Sequence, residues 1–178
     1  TSYLNSNNTG MQLVADSIHV DWSRYYGSNL IRSDDAIYAV AVDSKGNIYV
    51  TGRSDSTLSF IDFITIKYSS EGTLRWKKRY TSQENHEDIP YAIAVDQQGN
   101  VYVAGTSYTR PTYYDFVTIK YDSNGVEQWT ARYDGPDHDY DLLSSMAVDT
   151  SGNVYVAGAG AVHKFDNAFS AGDGDRRV

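Results

Sequence analysis

The sequence predicts an all-β chain of four-stranded β-propeller blades stacked about an axis. Three observations predict it: a stretch of sequence that recurs at a fixed spacing, strand-length runs bounded by turn residues, and a gradient of side-chain character along each repeat. The recurring stretch reads Ala-Val-Asp-x-x-Gly-Asn-(Ile/Val)-Tyr-Val-x-Gly and begins at Ala41, Ala94 and Ala147, a spacing of 53 residues both times. A fixed period of this order marks a repeat architecture.

The second repeat shows the elements in order. Ile89 to Asp96 is a short apolar run rich in alanine, followed by the turn Gln97-Gln98-Gly99. Asn100 to Gly105 is a second run. The polar loop Ser107 to Tyr114 leads to a third, Asp115-Phe116-Val117-Thr118-Ile119-Lys120-Tyr121. After Asp122-Ser123-Asn124-Gly125 comes a fourth, Val126 to Tyr133. Each run has strand length and is closed by turn residues, and no window carries helical periodicity.

Along the repeat the four strands, a to d, change character. Strand a is small and apolar (Ala39-Val40-Ala41-Val42), as suits the crowded centre of a radial stack. Strand d alternates and carries charge (Leu74-Arg75-Trp76-Lys77-Lys78-Arg79-Tyr80), as suits an outer edge protected from sheet-to-sheet pairing. Four strands graded in this way describe a propeller blade. In the a–b turns, Asp43, Asp96 and Asp149 are positioned to accept backbone N–H groups, and Gly46, Gly99 and Gly152 to take positive φ. These loops are too short and too poor in carboxylates for an EF-hand ligand set.

Three motifs run in order: the repeated stretch above, then Asp-Phe-x-Thr-Ile-Lys-Tyr, then Trp-x-x-x-Tyr. Together they resemble the SBBP β-propeller repeat of bacteria and archaea, over residues 18–166. The resemblance implies propeller blades and an extracellular or cell-surface setting. It brings no catalytic residues.

The organisation expected is a flexible arm or donor strand at 1–17, propeller repeats at 18–166 and a tail at 167–178. Within the repeats, 18–27 is a loose outer strand, 35–81 and 88–134 are complete blades, and 141–166 is a blade lacking its outer strand. Trp22…Tyr26 stands before any strand a, and no Trp-x-x-x-Tyr follows Phe165. The N-terminal segment is therefore expected to supply the outer strand of the last blade. Three blades fall below the four to eight of natural propellers. Self-association is expected, as a closed ring or a filament; a fragment of a longer propeller is the remaining reading.

Composition narrows the functions. The chain has 178 residues and a net charge of −8, with 23 acidic against 15 basic side chains. That balance does not suit nucleic-acid phosphates or anionic lipid. No apolar run approaches the roughly 18 residues of a membrane span. With no cysteine there is no disulfide, thiolate nucleophile or cysteine metal site. The four histidines, His19, His86, His138 and His163, lack ligand spacing, so no metal is expected, and no cofactor motif appears. His86-Glu87-Asp88 and Asp137-His138-Asp139 fall in corresponding d–a loops, where pH-dependent cation binding is conceivable. No catalytic triad, P-loop or dinucleotide fingerprint is present.

The functional class expected is a non-enzymatic interaction or structural module. Two alternatives stand beside it. Sixteen tyrosines against five phenylalanines, with Tyr108, Tyr113 and Tyr114 in the b–c loop, would suit stacking on sugar rings or on a partner, although packing along the blade edge is the preferred reading. Asp35, Asp88 and Asp141, each just before strand a, would form an acidic ring at one mouth of the channel. That ring would suit a cation, a basic ligand, or a lyase or glycosidase. Their structural reading, hydrogen bonding to the d–a loop, is preferred. Lys67, Lys120 and Lys164 in strand c suggest ion pairs or snorkelling stems. Asn7 lies in a glycosylation sequon, Asn7-Asn8-Thr9.

Overall fold

The computed structural model describes residues 20–27, 34–55, 60–84, 86–136, 138, 140–158 and 160–166. The arm at 1–17 with Asn7, and the tail at 167–178, lie outside the described residues. The described chain is all-β, eleven strands in three antiparallel sheets. Blade 1 comprises β1 (Ala36–Val42), β2 (Ile48–Asp55), β3 (Ile61–Tyr68) and β4 (Leu74–Tyr80), in that spatial order. Blade 2 repeats it with β5 (Asp88–Val95), β6 (Val101–Thr109), β7 (Tyr113–Tyr121) and β8 (Glu127–Tyr133). Blade 3 has β9 (Leu143–Val148), β10 (Val154–Gly158) and β11 (Ala161–Phe165).

Burial explains the composition of the strands. Blade 2 is packed on both faces, so β6 is buried from Val101 to Ser107 with no polar alternation. Its odd residues Val101 and Val103 join Tyr49, Phe63, Val117 and Ile119 in the core toward blade 1. Its even residues Tyr102 and Ala104 join Phe116, Trp129, Leu143, Val154 and Val156 in the core toward blade 3. In β10 buried and half-buried residues alternate. The period-2 geometry of a strand divides one sequence between two cores.

The glycine that each strand b carries at the same position has a steric cause. Strand a shifts register opposite it, between Pro90 and Ala92 in blade 2, and this carries the chain against strand b. A Cβ on Gly105 would meet the Ile89 carbonyl oxygen at 2.1 Å and the Phe63 ring at 2.6 Å. Gly52 and Gly158 face the same obstruction from Ala36 and Leu142.

The expected fourth strand of blade 3 is not in its sheet. Among the described residues β11 pairs only with β10, and 20–27 lies outside any sheet. The reason is packing: the Trp22 motif is held against blade 1, and β11 belongs to the sheet beyond blade 2.

Candidate functional site

The repeated aspartates are structural. In blade 2, Asp96 Oδ1 accepts the N–H groups of Gln98 (2.9 Å) and Asn100 (2.8 Å). Its Oδ2 accepts Asn100 Nδ2 (2.8 Å) and the Tyr102 hydroxyl (3.0 Å). Asp43 and Asp149 make the same four bonds in their own repeats. Burial pushes the Asp43 carboxyl up, but the bonds from Asn47, Tyr49 and Lys45 outweigh it and hold it below its usual value. The bonds from Asn153 lead in holding Asp149 low. The strand-c lysines lie over the same tyrosines: Lys67 Nζ is 5.0 Å from the Tyr49 ring, Lys120 Nζ 5.3 Å from Tyr102 and Lys164 Nζ 5.7 Å from Tyr155. Asp, Asn, Tyr and Lys of the repeat thus brace one another.

The strand-d tryptophans hold neighbouring blades together. Trp76 of blade 1 donates Nε1–H to the Ser123 carbonyl of blade 2 at 3.2 Å, and its ring lies 6.1 Å from Tyr121. It rests on Gly125, where a Cβ would come within 2.9 Å of the indole. Trp129 of blade 2 meets Phe165 of blade 3 at 6.3 Å. Trp22 repeats the pattern on blade 1: Nε1–H donates to the Ser70 carbonyl at 3.0 Å, the ring lies 6.2 Å from Tyr68, and it rests on Gly72. Arg24 Nε adds a bond to the Gly72 carbonyl at 2.8 Å. The Tyr26 hydroxyl accepts from Ser54 and Arg79, as the Tyr80 hydroxyl engages Ser107 and Arg132 one blade on. Residues 20–27 therefore hold the place on blade 1 that belongs to the outer strand of a preceding blade.

At the rim of the blades, arginine of strand d pairs with aspartate of strand c. Arg79 Nη1 lies 2.7 Å from Asp62 Oδ2, and Arg132 Nη1 2.7 Å from Asp115 Oδ2. Asp35 is half-buried just before β1. Asp88 is fully buried at the junction of blades 1 and 2 and accepts the Ser82 N–H at 2.7 Å. Burial raises its carboxyl to about 6, against the opposing bonds from Ser107 and Ser82. Asp141 is half-buried and accepts the Gly135 N–H at 2.5 Å. The acidic residues that come together are Asp115, Asp134 and Asp141, each with a carboxylate oxygen within 4.8 Å of the others. Burial also lifts Asp115 above its usual value, against Arg132, Thr112 and Thr109.

The tyrosine loop forms a continuous aromatic band on the same rim. Phe60 meets His86 (5.9 Å), His86 meets Tyr108 (5.1 Å), and Tyr108 meets Tyr113 (6.2 Å) and Tyr114 (5.3 Å). Tyr140 stacks on Tyr113 at 5.4 Å and leans on Tyr114 at 5.7 Å. Phe60, Tyr113 and Tyr140 are exposed. Tyr113 holds a left-handed backbone, φ 61°, which is costly for a bulky residue. The Tyr114 hydroxyl donates to Glu87 at 2.5 Å. Burial comes first, and this bond second, in raising its pKa above the usual tyrosine value.

Sequence reasoning placed Tyr108, Tyr113, Tyr114 and Asp141 among the candidates and His86 only in a loop suited to a cation, but not Phe60 and Tyr140 of the band, nor Asp134. The signal for Asp134 was a break in the repeat: Thr81 stands at that position one blade earlier.

Residues 21–58 and 77–109 match the SBBP β-propeller repeat. Regulatory protein FlaEY of Caulobacter vibrioides is 30% identical over 149 residues; the match takes in 71% of this chain and 14% of that protein. The chain is built from β-propeller repeats of the SBBP family.

Proposed function

We propose that the chain is a non-enzymatic, extracellular or cell-surface interaction module. It assembles by passing the outer strand of one copy to the third blade of another. The observation that carries this reading is the seat of Trp22. Trp76 belongs to the strand that pairs with β3 and rests on blade 2; Trp22 rests on blade 1 in the same manner. The strand beside residues 20–27 is then a strand c that stands in front of blade 1. β11 is a strand c whose second edge is unpaired among the described residues. Backbone groups on such an edge favour strand addition. Two chains joined in this way give a ring of six blades; an unclosed series gives a filament. The extracellular setting rests on the kind of repeat. The test is light scattering of the purified chain across a range of concentrations. Dimers or larger species that dissociate on Trp22→Ala support the reading; a wild-type monomer of 19.9 kDa at every concentration overturns it.

A second reading is favoured by the aromatic band. Exposed rings at stacking distance, one of them strained, suit a planar sugar face. Glycan-array binding lost on Tyr113→Ala supports it, and an array with no binding by the wild type removes it.

A further inference from the structure

We propose that the junction between blades 2 and 3 binds a calcium ion through Asp115, Asp134 and Asp141. The three carboxylates come from three places: the start of strand c, the loop after strand d and the approach to the next strand a. Each brings an oxygen within 4.8 Å of the other two. Oxygens this close can share one calcium ion, whose ligands lie about 2.3–2.6 Å from it.

A second observation points to a ligand. The Asp115 and Asp134 side chains are only 2% and 8% exposed. Each carries a buried Oδ1 with no hydrogen-bond partner among the described residues. Their Oδ2 atoms are engaged, Asp115 by Arg132, Thr109 and Thr112, and Asp134 by His138. A buried carboxylate oxygen left bare is costly unless a cation or donor meets it. Arg132 offsets one of the three charges and leaves the cluster acidic.

The earlier junction of the same chain is an internal comparison. There Asp62 and Asp88 occupy the positions of Asp115 and Asp141, with Thr81, Ser82 and Ser107 around them. At the later junction these three become Asp134, Gly135 and Gly160. A hydroxyl that serves Asp88 is gone, a carboxylate is added, and a cleft of about 350 Å³ reaches Asp141 between Gly135, His138 and His163. Oxygen donors and an open side suit calcium, which takes its remaining ligands from water. The donors that come together are carboxylate oxygens, hard ligands that suit calcium better than zinc.

The experiment is calorimetric titration of the EDTA-treated full chain with calcium chloride, alongside melting curves. One ion per chain is expected, with a rise in melting temperature that EDTA reverses. Asp134→Thr, which copies the residue of the earlier junction, is expected to weaken binding at least tenfold. Asp134→Asn is the second variant, in case the first does not fold, and is expected to weaken it likewise. Asp88→Asn, at the other junction, is expected to keep it. Absence of both heat and stabilisation in the wild type at about 10 mM calcium overturns the site. So does undiminished binding by a folded Asp134 variant. Magnesium binding as tightly as calcium overturns the choice of ion.

Discussion

Trp22 lies on Tyr68 as Trp76 lies on Tyr121, at 6.2 and 6.1 Å between ring centroids and tilts of 44° and 47°. One contact is made by a strand inside a blade and the other by a segment in no sheet, so the docking geometry belongs to the tryptophan and its glycine seat. Trp22→Ala is expected to cost about 2 kcal/mol of association free energy, as a central aromatic anchor does. Gly72→Ala is expected to act in the same direction, because φ is 75° there and a Cβ would lie 2.7 Å from the indole. Concentration-dependent light scattering checks both.

The Asp96 turn ties four donors to one carboxylate. Asp96→Ala leaves them unsatisfied and is expected to lower stability by about 2–3 kcal/mol in urea unfolding. Tyr102→Phe removes one of the four and is expected to cost about 1 kcal/mol.

Asp88 gives a pH dependence whose sign follows from its raised carboxyl. The unfolded chain ionises it near 3.8 and the folded chain near 6. The stabilisation is fully present below pH 3.8 and is lost as pH rises through about 6. Asp88→Asn is expected to remove that dependence, so variant minus wild-type stability grows by about 2 kcal/mol between pH 4 and 7. Asp43 acts with the opposite sign. Its lowered carboxyl contributes stability above 3.8 that is lost as pH falls through its folded value. Unfolding curves of both proteins at matched pH separate the two.

Gly105→Ala is expected to destabilise by about 2–4 kcal/mol, because the added methyl meets backbone rather than a movable side chain. Gly160→Ala is the contrast: nothing lies within 4 Å of its Cβ, and its φ of 77° leaves only a backbone cost of about 1 kcal/mol. Thermal melts of the two variants check the difference.

What was legible in the sequence was what repeats. The turn of Asp96, Gly99 and Asn100 could be read because local bonding alone explains it, and the strand order followed from turns between neighbours. The Trp-x-x-x-Tyr motif could be counted at Trp22, yet its role as a dock on the next blade could not, since Ser70 and Gly72 lie nearly fifty residues on. Strand c was expected to hold lysine in ion pairs or as a snorkelling stem; the cation–π contact with Tyr49 or Tyr102 appears only once strands b and c are in register. The aspartates before each strand a look equivalent in sequence. Asp88 is buried and Asp141 half-buried, and Ser107, which bonds Asp88, comes from another strand. Tyr140 joins the aromatic band across the blade junction, a distance no local pattern encodes.

The most direct test of strand exchange uses the absence of cysteine from the chain. Trp76 and Trp129 pair across the sheet with Lys67 and Lys120, and Lys78 and Ala131 with Thr65 and Thr118. By the same register Trp22 falls opposite Lys164 of another copy, and Arg24 opposite Val162. Arg24→Cys and Val162→Cys are prepared as separate single variants, mixed under mild oxidation and run on a non-reducing gel. The account predicts a mixed disulfide of twice the chain mass that forms faster than either variant's own dimer and is suppressed by Trp22→Ala on the Arg24→Cys chain. Cross-linking no faster than in the unmixed variants, or unchanged by Trp22→Ala, would contradict it.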